Sequence, residues 1–133
     1  MSALTTWGKH LVLDIAGCSP VAIRSPEIIH NFTKDLVRRI DMVAYGPPQI
    51  VRFGTGNKQG YTLVQLIETS NICAHFVEEN NTMYLDVFSC KDFDSIVVKE
   101  AVVDYFDARH QYARILERQA QLPRELFPGP RMS

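Results

Sequence analysis

Between residues 9 and 16 the stretch KHLVLDIA alternates loosely between apolar and polar positions and stops at Gly17, the pattern of a half-buried β-strand. A different period follows. In SPEIIHNFTKDLVRRIDM (25–42), Ile28, Ile29, Phe32, Leu36, Val37 and Ile40 recur at steps of three and four, which predicts a helix with one buried face. Ser25 is placed to cap that helix, Pro26 suits a first helical position that needs no N–H, and Glu27 sets a negative charge against the helix dipole. Pro47 and Pro48 forbid a continuation, and QIVRF (49–53) begins a second strand.

YTLVQLIE (61–68) and TMYLDVFSC (82–90) are rich in β-branched and aromatic residues and predict two more strands. A shorter one, ICAHFVE (72–78), lies between them, with Asn80 and Asn81 as a hairpin turn. Helical spacing returns in DFDSIVVKEAVVDYFDA (92–108), where Asp94 is the expected cap. HQYARILER (110–118) fits either a last strand or a helical extension. This order of elements predicts an α+β two-layer sandwich, a mostly antiparallel sheet with two main helices on one face. Residues 1–120 are expected to form a single domain and the Pro-rich stretch 121–133 a frayed tail. The strand positions Leu11, Leu13, Val64, Leu66, Leu85 and Val87 exceed what one sheet face hides, so dimerisation through the sheets is expected.

Composition narrows the function classes. A chain of 133 residues, 46% hydrophobic and 22% charged, has room for one core but not for separate cofactor and substrate domains. A net charge of -1 argues against nucleic acid as a partner. The N-terminal apolar run is broken by Asp14, too short for a membrane span and without a signal-peptide layout, so no membrane and a cytoplasmic location are expected. Cys18, Cys73 and Cys90 lack paired spacing, which speaks against a disulfide framework and a metal site. The glycines of GTGNKQG (54–60) match neither the dinucleotide nor the P-loop pattern, and a flexible hairpin loop accounts for them better.

Ser70, His75 and Cys90 are the candidates for chemistry, and each has an ordinary reading. Ser70 suits a turn, a lone strand histidine is commonly structural, and a cysteine ending an apolar strand is commonly a buried, inert thiol. Against that, an imidazole with an unperturbed pKa near 6.5 suits proton transfer.

Their arrangement resembles a known family. From GKHLVLDIAGCSP through LDVFSCKDFD the chain looks like the prokaryotic form of S-adenosylmethionine decarboxylase, a self-processing pyruvoyl enzyme of polyamine (spermidine) synthesis. That family has a strand ending in Gly-Cys, here Gly17 and Cys18. It then has a serine, a histidine five residues later, and a cysteine in Asp-Val-Phe-x-Cys twenty residues after the serine; here these are Ser70, His75 and Cys90. The resemblance implies that the Ser70 hydroxyl attacks the carbonyl of Thr69 and that the chain is cleaved between Thr69 and Ser70. Residue 70 then becomes a pyruvoyl group, the only cofactor required, whose carbonyl forms a Schiff base with the substrate amine and withdraws electrons as carbon dioxide leaves.

By the same resemblance His75 assists the elimination, Cys90 donates a proton in decarboxylation, and Thr62 supplies a processing hydroxyl where the family usually has serine. Phe53 is the candidate to stack on the adenine and Glu79 to hold the ribose hydroxyls. The implied assembly is a homodimer of processed chains. The chain departs from the family's Glu-Ser-His and His-Thr-Trp-Pro-Glu patterns, reading Thr69-Ser70-Asn71 and His75-Phe76-Val77-Glu78-Glu79. Two alternatives therefore stand beside S-adenosylmethionine decarboxylation: the same mechanism on ornithine or arginine, and an uncleaved binding or regulatory homologue.

Overall fold

A computed structural model describes residues 4–123. Six strands, β1 (Gly8–Ala16), β2 (Gln49–Phe53), β3 (Gly60–Ile67), β4 (Ser70–Val77), β5 (Thr82–Ser89) and β6 (His110–Arg118), form one sheet in the order β2-β3-β4-β5-β1-β6. Every neighbouring pair is antiparallel. Helices α1 (Pro26–Arg39) and α2 (Ser95–Phe106) cover one face, which makes the α+β sandwich. The stretch 110–118 is the strand of its two readings, and it pairs with β1 along its whole length. Of the expected tail, residues 124–133 lie outside the described residues. No described helix is long and apolar enough to cross a membrane.

Local chemistry explains the helix bounds. The Ser25 hydroxyl accepts the N–H of Ile28 and the Asp94 carboxylate accepts that of Ile96, each satisfying a donor with no partner inside its helix. α1 ends at Arg39, one residue before Ile40, the last of the apolar series, because Asp41 turns into the left-handed region at φ 58°. The chain's reversal drops Met42 into the core beneath the sheet. α2 ends the same way at Asp107, with φ 52°.

The core is a layer of alternate strand residues against the two helices. Leu11, Leu13, Leu63, Ile72, Leu85 and Val87 are buried with Phe32 of α1 and Phe106 of α2, whose rings meet edge to face at 4.9 Å. Register corrects the count of surplus apolar strand positions. Leu11, Leu13, Leu85 and Val87 all point to the helix side, and only Val64 and Leu66 of the six face away. The face without helices nevertheless exposes Val51, Phe53, Leu66, Tyr84, Tyr112 and Leu116, contributed by four strands.

Candidate active site

The turn between β3 and β4 consists of Glu68 and Thr69, and Ile67 pairs with Ser70 across it. The fourth strand therefore starts at Ser70, two residues before the apolar pattern suggests, because ladder bonds to both neighbours hold the polar Ser70 and Asn71 in extended backbone. Glu68 N–H donates to the Val43 carbonyl at 2.9 Å, tying the turn to the loop after α1.

Thr69 is held at three points. Its carbonyl oxygen accepts the N–H of Cys90 at 3.0 Å, its hydroxyl donates to the Met42 sulfur at 3.3 Å, and the same hydroxyl accepts from Ser89 Oγ at 2.8 Å. Ser89 is fully buried and accepts in turn the N–H of Lys91 at 2.9 Å. The amide between Thr69 and Ser70 thus has a fixed N–H donor on its oxygen, where negative charge develops if a nucleophile adds to the carbonyl carbon. The residue that follows this carbonyl, Ser70, carries a hydroxyl. Cys90, at a position whose sequence context also suits a buried thiol, is exposed. Cys18 is the buried one, and burial pushes its thiol up to about 11.

Thr62 and His75 are cross-strand neighbours on the open face, with Thr62 Oγ1 3.2 Å from His75 Nδ1. A single row runs across the sheet through Val51, Thr62, His75, Tyr84, Asp14 and Tyr112. Phe53 lies at the end of β2 beside Gly60 and is 57% exposed, and Glu79 is exposed in the β4–β5 turn. Thr62, His75, Phe53 and Glu79 therefore gather at one end of the sheet, whereas Ser70 and Cys90 stand at the other. Ser70 and His75 are five residues apart on one strand, about 16 Å, and their side chains have opposite parity. One chain does not bring the six residues together; it carries two separated groups.

Sequence reasoning missed Ser89 and Met42. Ser89 occupies the unspecified position of the Asp-Val-Phe-x-Cys pattern, and only the pairing of Ser70 with Ser89 reveals that it faces the turn. Two more groups lie on the open face: His10, with Nε2 2.9 Å from Asp86 Oδ1, and Cys73, whose thiol is pushed up by burial and then by the Asp86 charge.

Comparison with known proteins agrees with this architecture. The family profile described as S-adenosylmethionine decarboxylase matches residues 9–119. An S-adenosylmethionine decarboxylase proenzyme of Clostridium botulinum is 32% identical over 89 residues, covering 66% of this chain and 73% of that protein. The proenzyme of Archaeoglobus fulgidus is 22% identical over 89 residues, covering 67% and 76%. Among solved structures, the adenosylmethionine decarboxylase of Aquifex aeolicus superposes with a TM-score of 0.75 at 20% identity, covering 90% of this chain and 96% of that one, a likeness of fold. With the profile spanning residues 9–119 and the Clostridium botulinum proenzyme 32% identical over 73% of its own length, the chain belongs to the S-adenosylmethionine decarboxylase family.

Proposed function

We propose that the chain is a self-cleaving, pyruvoyl-dependent decarboxylase that acts on S-adenosylmethionine in polyamine synthesis, in the cytoplasm, as a homodimer of processed chains. The observation that carries the proposal is the Thr69–Ser70 peptide: a serine follows a carbonyl whose oxygen already accepts a fixed N–H, in a turn clamped by Met42 and Ser89.

Cleavage follows from those atoms. Ser70 Oγ adds to the Thr69 carbonyl carbon while Cys90 N–H holds the oxygen; the C–N bond breaks, the amine takes a proton, and an amide has become an ester. Removal of the Ser70 α-proton then expels the Thr69 carboxylate from Cβ. Water displaces ammonia from the enamine that remains and leaves a ketone at residue 70. The site fits that group, because residue 70 begins its fragment on a strand hydrogen-bonded to β5. Once formed, the pyruvoyl group supplies an electron sink for the loss of carbon dioxide.

The remaining work falls to this chain's side chains. His75, with its Nδ1 beside the Thr62 hydroxyl, is the base that takes the α-proton, and Cys90 is the proton donor after carbon dioxide leaves. Phe53 stacks on the adenine and Glu79 accepts from the ribose hydroxyls.

A second copy resolves the separation of the two groups. If two open faces pack about a two-fold axis near the middle of the sheet, the Ser70 and Cys90 end of one chain comes to the Thr62 and His75 end of the other. The exposed apolar residues of that face are then buried.

Denaturing mass spectrometry tests the proposal. Fragments of residues 1–69 and 70–133 are expected, the second with a ketone that reacts with hydrazine. Labelled carbon dioxide should come from carboxyl-labelled S-adenosylmethionine and not from ornithine or arginine. An intact mass in a protein that still consumes substrate would overturn it.

A further inference from the structure

Arg52 and Glu78 form a two-point ion pair across the end of the sheet, Nε to Oε2 at 2.9 Å and Nη2 to Oε1 at 2.9 Å. They belong to β2 and to the β4–β5 turn, and β3 runs between those two elements. The pair spans β3 at Tyr61, the residue the register sets opposite Arg52, next to Gly60, where a Cβ would lie 1.7 Å from the Phe76 carbonyl oxygen and the backbones of β3 and β4 therefore meet directly. Below it Glu78 N–H donates to the Gln59 carbonyl at 3.1 Å. On its far side the turn is braced by Arg24, which donates to the Glu78 carbonyl and, at 2.9 Å, to Asn81 Oδ1.

Each partner immediately precedes a residue assigned to the substrate: Arg52 precedes Phe53, and Glu78 precedes Glu79. β2 is one of the two edge strands, five residues long, bonded among the described residues only to β3, and followed by Gly54 in the left-handed region at φ 94°. Its last residue therefore has few constraints of its own. We propose that the Arg52–Glu78 clasp is a positioning pair that fixes the distance between the ring of Phe53 and the carboxylate of Glu79, and so sets affinity for the nucleoside part of the substrate. This rests on the assignment of Phe53 and Glu79 above.

The clasp differs from an ordinary surface ion pair. Side-chain ion pairs at the surface contribute little when each partner must be immobilised for it. Here the Glu78 side chain is only 14% exposed, its backbone is already fixed on two sides, and the guanidinium meets the carboxylate edge to edge. The Arg52 hydrogen bond, ahead of the Arg52 and Arg24 charges, holds the carboxyl below its ordinary value despite the opposing pull of burial.

Arg52→Ala, Glu78→Gln and the charge-exchanged double variant Arg52→Glu/Glu78→Arg test the assignment. For both single variants KM for S-adenosylmethionine should rise about three- to fivefold while kcat stays within about twofold. Cleavage between Thr69 and Ser70, to which neither Arg52 nor Glu78 is assigned a part, should keep its wild-type extent. Charge exchange should return KM toward wild type, and calorimetric titration with 5′-methylthioadenosine should show the same order of affinities without turnover. Unchanged KM in both single variants, or a fall in kcat with KM unmoved, overturns the clasp and leaves the proposed function standing. A wild-type protein that binds no nucleoside overturns both.

Discussion

The backbone N–H of Cys90 donates to the carbonyl oxygen of Thr69 at 3.0 Å, joining the last residue of the Asp-Val-Phe-Ser-Cys segment to the residue before Ser70. The two functions assigned to Cys90 therefore reside in different atoms: main chain for cleavage, thiol for turnover. Cys90→Ala keeps the N–H and should still yield both fragments, while decarboxylation falls about a hundredfold or more. Ser70→Ala removes the nucleophile and should leave an intact mass. Gel electrophoresis and a carbon dioxide assay on the same samples separate these effects, and an uncleaved Cys90→Ala protein would contradict the division.

Ser89 acts on the same peptide from the buried side. Its hydroxyl links Thr69 Oγ1 to Lys91 N–H, at 2.8 and 2.9 Å. Ser89→Ala leaves the Lys91 N–H without that acceptor and releases the Thr69 side chain from one of its two hydroxyl contacts. The rate of fragment appearance should fall about three- to tenfold, the range for one hydrogen bond to a part-buried group. Time-resolved mass spectrometry after refolding measures it. A wild-type rate would mean that the Cys90 N–H alone sets the geometry of the carbonyl.

Glu78 predicts an acid dependence whose sign is fixed. Its folded-state carboxyl lies below the ordinary value of 4.5, chiefly through the Arg52 hydrogen bond, so the carboxylate's contribution to stability is complete above that value. The contribution is lost as pH falls through the depressed folded value. The Tm difference between wild type and Glu78→Gln should therefore be largest near about neutral pH and shrink in acid. Scanning calorimetry at several pH values reads it directly, and a difference that grows in acid would contradict the assigned charge state.

Much of this architecture is readable in the order of residues, and what is not has a common cause. The Ser25 and Asp94 caps and the two helical stripes involve partners within a few residues, so local pattern suffices to find them. The last strand, 110–118, is ambiguous by itself because eight of its nine residues are exposed, and an edge strand carries no strong alternation; its nine-residue pairing with β1 decides the matter. The same holds at the site. Spacing along the chain singles out Ser70, His75 and Cys90, but it cannot say that Ser70 shares a strand with His75, which ladder bonds to both neighbours decide, or that Ser89 and Met42 close over Thr69. The closure over Thr69 arises from strand register and from the reversal at Asp41, which join Thr69 to Ser89 twenty residues on and to Met42 twenty-seven residues back.

Thiol reactivity provides a check on the two cysteine environments. Cys18 is buried with its thiol pushed up to about 11, whereas Cys90 is exposed. Iodoacetamide at about pH 8 should modify Cys90 in the folded protein and spare Cys18 until denaturant is added. Peptide mass spectrometry locates the label. Early labelling of Cys18 would show that its strand end opens readily.

The division of the site into two groups makes a prediction that no single-chain site shares. Ser70→Ala lacks the nucleophile, His75→Ala lacks the base, and each variant expressed by itself should remain uncleaved or nearly so. In a mixed dimer joined through the open faces, one of the two sites draws Ser70 and Cys90 from the His75→Ala chain and Thr62 and His75 from the Ser70→Ala chain. That site is complete, and the other lacks both groups. Co-expression with distinguishable tags should therefore give fragments 1–69 and 70–133 from the His75→Ala chain only, with the Ser70→Ala chain intact, at about half the wild-type yield per mixed dimer and about a quarter over all dimers when chains pair at random. Equal cleavage of both chains is impossible under this arrangement. A complete absence of fragments from a mixed dimer shown to form by tandem purification would place the base within the same chain as its serine, and would require β4 to rearrange so that Ser70 and His75 meet.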